Sequence, residues 1–116
     1  DPDWLAEYAA AAARHPAAGF FGGRIDPWYE APPPRWLTAG RAAFDGLLVS
    51  RDLGPTERPL GPTDYPFGAN MAFRTPLLRE FRFDPDLGKV GHRQTLSEEV
   101  TLMDRLRAAG HGGVWL

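Results

Sequence analysis

Apolar positions at the start of the chain follow helical spacing. Trp4, Leu5 and Tyr8 form an apolar side and lead into a run of alanines, which predicts a helix. We expect Asp1 to be its N-cap, Pro2 its first residue and Pro16 to lie beyond its end.

A second helical pattern occupies the last quarter of the chain. Its apolar positions are Val100, Met103 and Leu106, with Leu102 and Ala109 beside them. Thr95 or Ser97 supplies a cap, and Gly110 ends the helix in the left-handed position.

Shorter apolar runs predict the strands of a small sheet. Phe20–Ile25 is one, and its paired glycines Gly22 and Gly23 indicate a bulge or a close backbone approach. A second run, Phe67–Phe73, predicts a buried strand that begins from a tight turn. Residues 112–116 form the last strand, and 44–50 could form another.

Proline and glycine divide the rest of the chain. Residues 27–34 predict a rigid aromatic loop, followed by a helical turn at 35–37. A short helix follows the strand ending at Phe73, with Thr75 as its cap and Pro76 at its first position. Residues 84–94 lack periodicity and predict a loop. This order of elements predicts a single α/β or α+β domain over residues 1–116, with a small mixed sheet flanked by helices.

Composition narrows the function classes. The 13 Lys plus Arg against 15 Asp plus Glu give a formal net charge of −2, which excludes nucleic-acid binding driven by bulk charge. The absence of cysteine excludes disulfides, thiol catalysis and Cys-based zinc sites. No apolar run approaches the roughly 20 residues of a membrane span. The chain lacks an initiator Met and stops within an apolar run, so we expect it to be a piece of a longer protein.

Several apparent motifs have simpler explanations. Asp1 and Asp3 have the spacing of a metal-binding Asp-x-Asp, yet helix capping explains both. Gly88-Lys89 lacks the Ser or Thr and the earlier glycine of a phosphate loop. The three histidines have no metal-ligand spacing. No metal ligand is therefore predicted within the chain.

Two groups of residues carry candidate chemistry. Trp28, Tyr29 and Trp36 lie among prolines and would form a platform for sugar rings or a partner, or would cover a thin core. Glu98 and Glu99 fall in the first turn of the last helix, where its dipole favours the ionised form that a general base needs. A capping box from Thr95 to Glu98 is the structural alternative, and it leaves Glu99 unexplained.

The order of motifs from residue 66 to residue 116 resembles a known family. The motifs are Gly68-Ala69-Asn70-Met71-Ala72-Phe73-Arg74, Phe83-Asp84-Pro85-Asp86-Leu87-Gly88, Ser97-Glu98-Glu99-Val100, and Arg107-Ala108-Ala109-Gly110. Together they resemble the acceptor-side half of a family-two nucleotide-sugar glycosyltransferase of the GT-A fold. The first helix and the Gly22-Gly23 strand are similar to the stretch that follows this family's metal-binding Asp-x-Asp. The chain departs from the family in having Glu99 where Asp is usual, which lengthens the side chain by one methylene.

The resemblance implies roles for individual residues. Glu99 takes the place of the catalytic base of an inverting transfer, and Glu98 precedes it and orients the acceptor or the loop. The segment Gly68-Ala69-Asn70 would lie beside the donor sugar and the acceptor. His92 and Arg93 would contact diphosphate or an anionic acceptor, and Trp28 of the aromatic loop is a further candidate for substrate binding.

The resemblance also implies partners outside the chain. The family's nucleotide-binding half would precede Asp1, so a divalent metal, Mn or Mg, would have its ligands there, and this chain alone would be inactive. The donor is a nucleotide sugar and the acceptor a glycan or a lipid-linked molecule, in the cytoplasm of a bacterium or at the cytoplasmic face of a membrane. Two other hypotheses stay open: a non-catalytic carbohydrate-binding or interaction module, and an inactive fragment that self-associates through an open sheet edge.

Overall fold

The fold is seen in a computed structural model that describes residues 2–40, 43, 48–85, 87–90, 93–95 and 98–116, with the backbone alone at 88–90 and 93–95. The described helices are α1 (Trp4–Arg14), α2 (Arg35–Ala39), α3 (Thr75–Glu80) and α4 (Glu98–Ala108). The described strands are β1 (Phe20–Gly22), β2 (Arg58–Pro59), β3 (Met71–Phe73), β4 (Gly88–Val90), β5 (Arg93–Thr95) and β6 (Gly113–Trp115). A 3₁₀ turn at Gly68–Asn70 leads into β3.

The described strands form one mixed sheet and one hairpin. The sheet has the order β2-β6-β1-β3. β6 runs parallel to β1, whereas β2 and β3 run antiparallel to their neighbours. β4 and β5 pair with each other in a separate hairpin. The chain is therefore a mixed α/β structure with a small four-stranded sheet.

Alternate side chains of the sheet enter two separate clusters. Phe21 and Val114 pack with Tyr8 and Ala11 of α1 on one face. On the other face, fully buried Phe20 packs against Leu102, Met103 and Leu106 of α4 and against side chains of α3. Because successive strand residues point to opposite faces, three-residue strands suffice to hold helices on both sides.

Glycines allow the closest contacts within the sheet. A methyl group at Gly113 would lie 2.3 Å from the ring of Phe20, so the buried ring occupies the space that a side chain on β6 would need. A methyl group at Gly22 would lie 2.2 Å from Cβ of Pro66. The close approach predicted at Gly22 and Gly23 is confirmed.

The helix starts differ from prediction. α1 begins at Trp4 with Asp3 at its N-cap position, so Pro2 precedes the helix, and the predicted cap Asp1 lies outside the described residues. α3 begins at Thr75 itself, and Arg74 occupies the N-cap position. The prediction of Thr75 as cap was wrong by one residue, because β3 ends at Phe73 and leaves a single residue before the helix. The turn predicted at 35–37 is confirmed as α2.

Three strand predictions need correction. The strand predicted at 20–25 ends at Gly22, and Ile25 instead makes an isolated bridge with Arg51. Of the buried strand predicted at 67–73, residues 68–70 form the 3₁₀ turn, and the remaining strand β3 is only partly buried. The strand at 44–50 falls mostly outside the described residues, and its described part, 48–50, is not in a strand.

The segment predicted as a loop, 84–94, contains most of the hairpin of β4 and β5. Its Gly and charged residues gave no alternation of apolar and polar positions, so the strand pattern was absent from the sequence. The helix α4 and the strand β6 are confirmed, and Gly110 ends α4 with a φ of 89°.

Candidate functional site

The parallel strands β1 and β6 end at the same edge of the sheet. Gly23 follows β1 and Leu116 follows β6, and their backbones are joined to the sheet at this edge. β3 runs the opposite way, so Asn70 enters it from this same edge, with the Asn70 carbonyl accepting from Gly23 N–H at 3.2 Å. In open α/β sheets, the carboxyl ends of parallel strands are where ligands bind.

The turn before β3 lies against the N-terminus of α4. A methyl group at Gly68 would lie 2.8 Å from Oε1 of Glu99, so the carboxylate rests directly on the turn. Two motifs that are 31 residues apart in sequence (99 − 68) therefore meet at one place. The absence of a side chain at Gly68 is what allows this approach.

Glu98 and Glu99 occupy the first turn of α4 and are both partly exposed. The positive end of the helix dipole favours carboxylates there. Thr95, the cap in the capping-box alternative, belongs to β5, and the described part of α4 begins at Glu98. The alternative cap, Ser97, lies outside the described residues.

The side chain of Asn70 is bonded within the fold. Its Oδ1 accepts from Trp4 Nε1 at 2.7 Å and from the Tyr8 hydroxyl at 2.8 Å. Its Nδ2 donates to the carbonyl of Arg24 at 2.8 Å. Asn70 thus joins α1 to the two segments that form the carboxyl edge of the sheet.

A small cleft of about 130 Å³ opens beside Asn70. Trp4, Glu7, Tyr8, Gly23, Arg24, Asn70 and Leu116 line it. Trp4 and Tyr8 meet edge-on with their ring centroids 5.0 Å apart, and burial raises the pKa of Tyr8 to about 12. The cleft therefore combines an aromatic wall with a carboxylate and a guanidinium.

Arginines flank this edge of the sheet. Arg24 pairs with Asp26 at 2.7 Å, and this bond, with a weaker attraction from Asp52 at 3.5 Å, raises the pKa of Arg24. The Arg51 guanidinium lies 5.2 Å from the ring centroid of Phe67, just before the Gly68 turn. Its buried Nε has no hydrogen-bond partner among the described residues.

Sequence reasoning missed the contributions of Trp4, Tyr8 and Arg51 to this region. The first two were assigned to the apolar face of α1, and their i, i+4 spacing gave no sign that both polar atoms converge on Asn70. Arg51 gave no signal, because the chain has twelve arginines and this one lies in a segment without a regular pattern.

The structure places the remaining predicted site residues as follows. Ala69 is exposed in the 3₁₀ turn between Gly68 and Asn70. Arg93 begins β5, and His92 lies outside the described residues. Trp28 is 82% exposed in the aromatic loop.

The expectation that Trp28, Tyr29 and Trp36 cover the core is wrong for the two tryptophans, Trp28 in the aromatic loop and Trp36 in α2. Trp28 is 82% and Trp36 64% exposed, although Tyr29 is partly buried. Large exposed apolar side chains on a single segment mark candidate binding surfaces.

Among the described residues, no group of three or more His, Asp or Glu side chains is arranged to hold a metal ion. None of the helices in the described parts of the chain is long and apolar enough to cross a membrane. Comparisons of the chain with models of protein families, with curated proteins and with solved structures found no match.

Proposed function

We propose that this chain is the acceptor-binding and catalytic-base half of an inverting glycosyltransferase that uses a nucleotide-sugar donor. The observation that carries the proposal is the contact of the Glu99 carboxylate with the turn at Gly68, at the carboxyl edge of β1 and β6. Two of the four blocks that carry the family resemblance, those of Gly68 and Glu99, are in contact. A partial GT-A-like arrangement of sheet and helices belongs to the same proposal.

In this proposal Glu99 takes the proton of an acceptor hydroxyl. The hydroxyl oxygen forms a bond to the anomeric carbon of the donor, while the bond from that carbon to the nucleotide diphosphate breaks. The configuration inverts because the oxygen attacks from the face opposite to the leaving group. Glu98, one residue earlier in the same turn, orients the acceptor.

The described residues do not form a metal site, so no step of the reaction is assigned to a metal here. The proposal assigns the nucleotide and its divalent metal to residues outside this chain. It also assigns the acceptor, a glycan or a lipid-linked molecule, to the edge that holds Glu99 and the Gly68–Asn70 turn.

The test is sugar transfer by a polypeptide that joins this chain to a nucleotide-binding half, comparing wild type with Glu99→Gln. We expect Glu99→Gln to abolish turnover while nucleotide-sugar binding is retained, because the amide cannot take a proton. Glu80→Gln, on the exposed surface of α3, is the matched control and leaves turnover unchanged. Full activity in Glu99→Gln would exclude Glu99 as the base.

A second candidate function is a non-catalytic module that binds carbohydrate or a protein partner through the aromatic loop. It is favoured by the exposure of Trp28 and Trp36, since flat aromatic faces stack on the apolar C–H surfaces of sugars. This candidate predicts that the chain by itself binds a glycan and that Trp28→Ala removes the binding. Glu99→Gln would leave such binding unchanged, so the two variants separate the two functions.

A further inference from the structure

The strand β3 has an open side. It lies at the end of the sheet and, among the described strands, pairs with β1 alone. Two hydrogen bonds flank the pairing of β3 with β1: the Arg74 N–H donates to the Gly19 carbonyl, and the Gly23 N–H donates to the Asn70 carbonyl. Ala72 lies midway between Asn70 and Arg74, so its N–H and C=O groups also face β1. Because residues alternate along a strand, the N–H and C=O groups of Met71 and Phe73 point away from β1.

The side chains of this edge do not oppose strand pairing. Native edges are protected by short length, charged side chains, proline or bulges, and β3, although short, consists of the apolar residues Met71, Ala72 and Phe73. The next residue, Arg74, is charged, yet its guanidinium is turned into the fold, where it donates to the carbonyls of Ala12, His15 and Ala18.

An apolar groove runs beside the open strand. It has a volume of about 360 Å³, and Leu5, Ala9 and Ala12 of α1 form its outer wall. Ala72, Phe73 and Pro76 lie on its inner side. Leu5 is 70% exposed, so this wall of the groove is open to solvent in the described chain. An added strand beside β3 would border the groove and Leu5.

We propose that β3 pairs with β3 of a second copy of this chain, antiparallel and about a two-fold axis at Ala72. In this register Met71 of one copy lies opposite Phe73 of the other, and each pair exchanges both of its outward backbone groups. The strand is self-complementary because its outward groups are symmetric about Ala72. β3 and the groove residues Leu5, Ala9 and Ala12 carry no charge. Arg74 also lines the groove, and its guanidinium is bonded to the carbonyls of Ala12, His15 and Ala18. This inference does not depend on the proposed function.

The test is sedimentation velocity of the chain over a wide concentration range, with amide hydrogen exchange measured by NMR on the same samples. We expect a dimer that dissociates on dilution. The amides of Met71 and Phe73 should be protected in the dimer and exchange rapidly on dilution. The amide of Ala72 should stay protected throughout, because it faces β1.

Leu5→Arg places like charges across the axis and should yield a monomer, and the exposed position of Leu5 keeps the fold intact. Ala10→Arg, on the side of α1 away from the groove, is the matched control and should leave the dimer unchanged. A wild-type chain that is monomeric at every concentration would overturn the proposal. So would a dimer in which Met71 and Phe73 exchange at a constant rate, or one that Leu5→Arg leaves intact.

Discussion

The side chain of Asn70 makes its hydrogen bonds within the fold, although the sequence predicted that it lies beside a ligand. Three of its hydrogen-bonding positions are used by Trp4, Tyr8 and the carbonyl of Arg24. A role in substrate binding therefore rests on the backbone around Asn70 and on its neighbours more than on the amide oxygen. Glu99 is different, because its Oε1 rests against Gly68, where no side chain stands between the carboxylate and the turn.

The contact between Gly68 and Glu99 leads to a prediction for Gly68→Ala. The added methyl would lie 2.8 Å from Oε1, and the flexible end of Glu99 has to move away from it. Because a displacement of roughly 1 Å can cost about 100-fold in rate, we expect turnover in the transfer assay to fall at least about tenfold. The free energy of unfolding should change by less than about 1 kcal/mol, since only the tip of a side chain shifts.

Gly112→Ala is the control for this substitution, because no atom lies within 4 Å of the added methyl. It should alter neither the transfer rate nor the urea midpoint. If Gly68→Ala retains full turnover, the position of the Glu99 carboxylate against the turn does not matter for the reaction.

Among the elements, the end of α1 depends on an arginine from another segment. Arg74 follows β3 and donates to the carbonyls of Ala12, His15 and Ala18 at distances of 2.6 to 2.9 Å. Carbonyls at a helix end lack hydrogen-bond donors within the helix, and the Arg74 guanidinium provides such donors. The same guanidinium lies 5.8 Å from the ring centroid of Phe21. One side chain thus connects α1, β1 and β3.

We predict that Arg74→Lys destabilises the chain by about 2 kcal/mol, measured by urea unfolding. A single ammonium cannot reach three carbonyls that a planar guanidinium spans, and partly buried carbonyls lose their partners. Arg79→Lys on the exposed surface of α3 is the control, with an expected change within about 0.5 kcal/mol. Equal stability of the two variants would show that water replaces the Arg74 contacts without cost.

The elements also differ in how well the sequence predicts them. α1 and α4 were predicted because apolar residues at helical spacing persist over three turns, and β6 because it is a short apolar run after Gly110. The hairpin of β4 and β5 was missed, since its pairing is set by backbone contacts that leave no pattern in polar side chains. The meeting of Glu99 with Gly68 depends on tertiary packing, and sequence spacing alone could not predict it.

At the scale of the whole molecule, an ion pair joins distant parts of the chain. Glu57, just before β2, accepts from Arg14 at 2.6 Å and contacts His15 at 2.5 Å, at the end of α1. The hydrogen bond from Arg14, followed by that from His15, lowers the pKa of Glu57 from 4.5 to about 2. This pair and Arg74 hold the same end of α1 from two directions.

The lowered pKa of Glu57 predicts how stability depends on pH. In the folded chain Glu57 holds its charge down to about pH 2, whereas in the unfolded chain it binds a proton near pH 4.5. The unfolded state therefore binds more protons between these values. The contribution of Glu57 to stability is fully present above about pH 4.5 and is lost as the pH falls toward 2.

The measurement is the thermal midpoint from pH 6 to pH 2 for wild type and Glu57→Gln, each at low and high salt. We expect wild type to be the more stable above pH 5 and the two midpoints to converge toward pH 2, because the glutamine variant lacks this titration. Added salt should narrow the difference, since the pair is partly exposed and screened. Glu80→Gln, on the exposed surface of α3, should follow the wild-type curve. Parallel curves for wild type and Glu57→Gln would show that the contact with Arg14 and His15 does not persist in solution, and that Arg74 alone holds the end of α1.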